Sequence, residues 1–196
     1  MEKLSKKKAD LSKTRSVASV FVSRIDTAVD KSIDEQWAKE KDTPARNRLL
    51  SLKGKAAVAN SALIFHKFGF MFSGKSFSTL SNKNCQVQRV LWGSTGTKNP
   101  QYSDIKYITE LIARPTVNTL PEKTINAFLD HGVVKEALTN NIRDAQETFK
   151  ALNGFGIDTN KICEELLTDG VSAFEKSFDA LLNTIETKAR TLCAKS

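Results

Sequence analysis

Three short apolar runs constrain the fold of this chain more than any other feature. Residues 16–22 (SVASVFV), 88–92 (QRVLW) and 116–119 (TVNT) have the length and residue types of strands. Each ends in a polar cluster, and long helix-patterned stretches separate them. Parallel strands need a crossover of about a dozen or more residues, usually a helix. The spacing therefore predicts βα units around a parallel sheet, an α/β fold. In such folds ligands bind beyond the carboxyl ends of the strands. The residues found there are 19–24, 94–99 and 118–119.

The helical pattern is readable between these runs. Val29, Ile33 and Trp37 recur every four residues and predict a helix over 26–41, with Asp26 or Thr27 available as its cap. Asp42-Thr43-Pro44 marks a break and a restart. Residues 45–72 are mostly helical, with Ala56, Ala57, Ala59, Leu63, Phe68 and Phe72 as core candidates, and a short helix over 76–82 follows Gly74. Further helices are expected over 103–112, from Pro121 to about 130, over 140–152, and over 159–192 with a break near Gly170.

Composition excludes several classes. The chain of 196 residues carries a net charge of +8, which favours anionic partners. No apolar run approaches the ~18 residues of a membrane span. Six Lys or Arg against two acids fall within residues 1–15. That arm reads either as a nucleic-acid or membrane contact or as a solvated helix end; no aromatic residue interleaves with its lysines to stack on bases. Cys85, Cys163 and Cys193 form no Cys-x-x-Cys pair, and only His66 and His131 are present. A disulfide framework, a zinc site and a His-based metal cluster are therefore not expected, and reduced thiols in a cytosol-like compartment are.

At the strand ends, Arg24 follows the first run and Lys98 the second. An arginine fork and a lysine point charge suit a phosphate dianion. Gly93 and Gly96 let backbone N–H groups approach an anion. The competing reading pairs Arg24 with Asp26 or Asp30 and leaves Lys98 as an ordinary loop lysine. GSTGTKN superficially resembles a Walker loop but has one residue between Gly96 and Lys98, and Asn99 where Ser or Thr belongs. Lys98 as a Schiff-base nucleophile lacks a neighbouring acid and base in the sequence. His131, in FLDHGVV, reads as a helix-terminal residue near the C-terminal dipole. Trp37 and Trp92 read as packing residues.

These segments together resemble transaldolase, in the form found in plants, algae and many bacteria. SVASVFVSRIDTAVDK is similar to the family segment around the sixth barrel strand, and LKGKAAVANSAL to the stretch that follows it. QRVLWGSTGTKNPQYSD resembles the seventh strand and its loop, YITELIARPTVNTLPEKTINAFLDHG the eighth strand and following helix, and GVSAFEKSFDALLNTIETKA the last helix. The resemblance runs over nearly the whole chain, in order.

The resemblance implies a (β/α)8 TIM barrel of the class I aldolase type, of which this chain covers roughly the sixth to eighth βα units. Residues 1–15 would be a basic helix remnant, and 16–196 the last three units with the C-terminal helices. The family transfers a dihydroxyacetone unit between sugar phosphates in the non-oxidative pentose phosphate pathway. It uses a Schiff-base lysine on the fourth strand, with an aspartate on the first strand and a glutamate on the third. Those positions fall outside this chain, so the expectation is a C-terminal portion inactive alone. The alternative is a non-catalytic sugar-phosphate-binding or assembly module. By motif, Ser19 matches a residue contacting substrate hydroxyls and Phe21 an aromatic lining the site. Arg24 and Lys98 match the residues gripping phosphate, and Gly96 stands where the family usually has a phosphate-binding serine. The implied ligands are sedoheptulose 7-phosphate, fructose 6-phosphate, glyceraldehyde 3-phosphate and erythrose 4-phosphate, with no cofactor, metal, nucleic acid or membrane. A cytoplasmic location is expected, or a plastid if a transit peptide preceded the chain. Three strands would leave open sheet edges and an uncovered apolar face. Self-association or a complementary N-terminal half is therefore expected.

Overall fold

The computed structural model of the chain describes residues 2–7, 10–139 and 142–193. They fall into two compact units, Met1–Ile157 and Asp158–Ser196. In the first, a three-stranded parallel sheet has the order β1 (Ser16–Phe21), β2 (Gln88–Gly93), β3 (Thr116–Asn118). Ser16 pairs with Gln88 and Phe21 with Gly93, and Val90 pairs with Thr116. This is the mixed α/β class with a parallel sheet that the spacing predicts.

Register fixes the two faces, because successive side chains alternate and paired residues share a side. Val90 and Trp92 lie on one face and are buried. Val17, Ser19 and Phe21 lie on the other; Val17 is 42% exposed and Phe21 40%. One side of the sheet is thus covered at β2, although Ala18 on that side of β1 is exposed, and the other side is open along β1.

The helices of this unit are α1 (Glu2–Lys6), α2 (Ser23–Lys39), α3 (Thr43–Ser51), α4 (Ala56–Ser73), α5 (Lys75–Ser81), α6 (Lys106–Thr109), α7 (Glu122–His131) and α8 (Arg143–Gly154). α2 packs on α3 and α4, and α4 on α5 and α8. The α2 stripe is as expected: Val29 and Ile33 are fully buried, and half-buried Trp37 lies under the Arg46 guanidinium at 3.8 Å. α2 nevertheless starts three residues earlier than its periodicity suggests. Neither Asp26 nor Thr27 caps it; Val22 occupies the N-cap without a side-chain bond. Asp42 does cap α3, accepting from the Ala45 N–H at 2.9 Å, with Pro44 in the first turn.

In α4, Ala56, Ala57, Ala59 and Phe65 are buried, whereas Leu63, Phe68 and Phe72 are only half-buried. Phe68 and Phe72 instead extend a ring ladder from Phe65 to Phe77 that seats α5 on α4. The helix expected over 103–112 is shortened to α6, one turn, and residues 140 and 141 of the helix expected over 140–152 lie outside the described residues. The second unit contains α9 (Thr159–Cys193), which continues through Gly170 without the expected break. Its Leu167, Val171, Phe174, Phe178, Leu181 and Ile185 repeat at three- and four-residue spacing and are exposed. No helix among the described residues is long and apolar enough to cross a membrane.

Candidate functional site

The three strand ends are tied into one platform. Val22 N–H donates to Gly93 O at 2.9 Å, Ser23 N–H to Ser94 O at 3.0 Å, and Thr119 N–H to Trp92 O at 3.0 Å. The ladder thereby extends past the strands. Side chains reinforce it: Ser23 and Ser94 hydroxyls lie 3.0 Å apart, and Thr95 Oγ1 donates to Thr119 O at 2.6 Å. Ser94 takes a left-handed backbone conformation, φ 54°, which a non-glycine residue adopts only when its surroundings hold it there. Here Ser23 holds it from both backbone and side chain.

On the open face, Ser19, Phe21 and Arg24 come together. A Cβ on Gly93 would sit 3.1 Å from the Phe21 ring and 3.6 Å from Ser19 Oγ, so glycine at this position leaves room for both. The Arg24 guanidinium carbon lies 5.2 Å from the Phe21 ring centroid. Gly96 belongs to the neighbouring loop and faces the start of α7; a Cβ there would meet Pro121 Cγ at 3.2 Å. A serine at 96 would need that proline to give by a few tenths of an ångström. Lys98 is exposed, on the same loop, at the lip of a cavity of about 660 Å3 shared with Ser23, Asp26, Asp30, Tyr102 and Tyr107.

The pairing of Arg24 with Asp26 or Asp30 does not form. Both carboxylates are fully engaged elsewhere. Asp26 accepts from Ala57 N–H at 2.7 Å and from Tyr107 hydroxyl at 2.7 Å. Asp30, one turn on, accepts from Gly54 N–H at 2.9 Å and from Tyr102 hydroxyl at 2.6 Å. Burial pushes the Asp26 carboxyl above its usual range, against the lowering effect of its two donors. Burial and the adjacent aspartates push both tyrosine hydroxyls up, so both stay protonated donors. Lys106 lies 5.8 Å from each tyrosine ring centroid and pairs with Glu110 at 2.7 Å.

The sequence offers Asp26 and Asp30 only as partners for Arg24 and pairs neither with Tyr102 or Tyr107. The available signal was LKGKAA, whose Gly54 and Ala57 supply the two backbone donors. Gly54 has φ +70°, and a Cβ there would lie 2.8 Å from Tyr102 Cζ. His131 does end α7, but its ring bridges Asp130 and Asp104 at 3.1 Å each.

Comparison with known proteins agrees with the resemblance of these segments. Over 194 residues the chain is 42% identical to the transaldolase of Mycobacterium marinum, covering 98% of this chain and 50% of the relative. It is 43% identical over 191 residues to the transaldolase of Mycobacterium tuberculosis, covering 96% and 48%. It is 39% identical over 194 residues to that of Trichodesmium erythraeum, covering 98% and 51%. The chain spans about half the length of the curated relatives it matches. The family model for transaldolase/fructose-6-phosphate aldolase matches residues 3–185, and the chain belongs to that family.

Proposed function

We propose that this chain supplies the sugar-phosphate-holding βα units of a transaldolase barrel. The open face of the sheet carries this reading. Ser19, Phe21 and Arg24 stand there together, beside a strand edge at β1 with no partner strand among the described residues. A (β/α)8 barrel places its substrate against the C-terminal ends of such strands.

In this reading Arg24 grips the phosphate with its planar fork and Lys98 adds a point charge from the next loop. Gly96 contributes a backbone N–H, Ser19 bonds a sugar hydroxyl, and the Phe21 ring covers carbon skeleton. The ligands are the ketose and aldose phosphates of transaldolase chemistry, fructose 6-phosphate among them. Dihydroxyacetone transfer through a lysine Schiff base then requires strands from outside residues 1–196 to complete the barrel. This chain alone binds without turning over.

Calorimetric titration tests the binding. Fructose 6-phosphate is expected to bind, unphosphorylated fructose not, and R24A to abolish the difference. Equal affinity for both sugars, or no effect of R24A, would refute the proposal.

A further inference from the structure

We infer that Asp30 and Tyr102, with Asp26 and Tyr107 beside them, are positioning residues that hold the Lys98 loop against α2 and so set how tightly the chain grips phosphate. The inference rests on the sugar-phosphate reading above and deepens it by naming what spaces the two cationic groups.

Arg24 and Lys98 arrive from different βα units. Arg24 sits in the first turn of α2, two residues before Asp26, and Lys98 sits four residues before Tyr102. Residues 94–105 contain neither helix nor strand. A charged group on such a segment is an imprecise anchor unless the segment is tied to a rigid element. A cavity of about 660 Å3 lies between α2 and this loop, so close packing does not fix their spacing there. The Tyr102–Asp30 bond bridges this interval at 2.6 Å, and the Tyr107–Asp26 bond, at 2.7 Å, ties α2 to α6 just beyond the loop.

The carboxylates cannot swing to follow a moving loop. Each has its second oxygen held by a backbone N–H at the head of α4, from Gly54 or Ala57. Two charge-assisted bonds per aspartate, at positions one helical turn apart, make a two-point attachment that resists rotation as well as separation. Within the loop, Thr97 donates to Ser103 O at 2.8 Å and Gln101 N–H to Asn99 Oδ1 at 2.9 Å. Lys98 and Tyr102 therefore move together.

The test is a double-mutant cycle on the full chain, titrated with inorganic phosphate. Y102F removes only the hydroxyl and keeps the ring against Gly54. It is expected to weaken phosphate binding about fivefold. On a K98A background the same change is expected to have no further effect, because it acts through Lys98. A merely structural loss would weaken both backgrounds equally. A second readout needs no ligand: tryptic cleavage after Lys98 should accelerate in Y102F while cleavage after Lys150 in α8 does not. Unchanged phosphate affinity in Y102F, equal losses on both backgrounds, or unchanged cleavage after Lys98 each overturns the inference. Failure of the wild-type chain to bind phosphate at all instead refutes the sugar-phosphate reading, and the inference falls with it.

Discussion

Tyr107 and Asp26, 81 residues apart in sequence, are joined by a buried hydrogen bond of 2.7 Å. The bond links the first turn of α2 to the segment that follows the β2 loop. Asp26 is a buried carboxylate with both oxygens occupied, and its environment sets two opposed tendencies. Desolvation favours the protonated form, and the Ala57 and Tyr107 donors favour the charged one.

The first expectation concerns Asp26 itself. D26A leaves a buried N–H and a buried hydroxyl without acceptor and should cost about 2–4 kcal/mol. D26N keeps an acceptor for Ala57 and a donor for the Tyr107 oxygen, and should cost much less. The folded carboxyl is raised above its ordinary 3.8, so the folded state binds the proton more tightly than the unfolded state. Wild-type stability contributed by this group therefore falls as pH rises from 3.8 through the raised value. Urea midpoints should move in favour of D26N, relative to wild type, over that interval. Parallel pH profiles for the two proteins would show that desolvation of Asp26 is not the controlling cost.

Gly54 should not tolerate a side chain. Its φ of +70° disfavours any L residue by about 1–2 kcal/mol. An added Cβ also meets the Tyr102 ring at 2.8 Å. G54A is expected to lower the urea midpoint by more than the backbone term alone, and G54A/Y102A to recover part of the loss by making room. Additive losses would place the strain in the backbone only.

His131 gives a pH effect of opposite sign. Hydrogen bonds that the ring donates to Asp130 first and Asp104 second raise its pKa above 6.5. Its stabilising contribution is fully present below 6.5 and is lost as pH rises through the raised value. The urea midpoint of wild type should exceed that of H131Q at about pH 6 and match it at about pH 9. The effect is small, because the ring is solvent-exposed. An unchanged difference across that range would mean the two contacts do not depend on ring charge.

The open sheet face should make the isolated chain associate. Val17 is 42% exposed on β1, whose outer edge has no partner strand among the described residues. Edge strands with apolar faces are templates for further pairing. Sedimentation should show concentration-dependent assembly that V17K reduces, since an edge lysine blocks pairing. A sharp monomer with a cooperative melt for the wild type would contradict this.

The strands and the larger helices were legible because their signals are local. SVASVFV and QRVLW announce themselves by apolar run and polar stop, and Asp42-Thr43-Pro44 by capping chemistry. The start of α2 was misplaced because Ser23 and Arg24 carry no periodic apolar signal. Asp26, which looks like a cap, is instead drawn into the interior by Ala57 and Tyr107. Arg24 and Lys98 were readable as strand-end cations. The Asp–Tyr ties were not, because each joins residues 72 or 81 positions apart that share no pattern. The local trace they left was a glycine, Gly54, whose necessity shows only once Tyr102 lies across it.

Borohydride trapping tests the central proposal most directly. The purified chain is incubated with fructose 6-phosphate, reduced, and weighed as intact protein beside the Mycobacterium tuberculosis relative. The proposal predicts an adduct on the relative and none on this chain, because it gives Ser19, Phe21, Arg24 and Lys98 the holding of phosphate and sugar and not the formation of a Schiff base. A covalent adduct on this chain, above all one mapped to Lys98, would contradict the proposal.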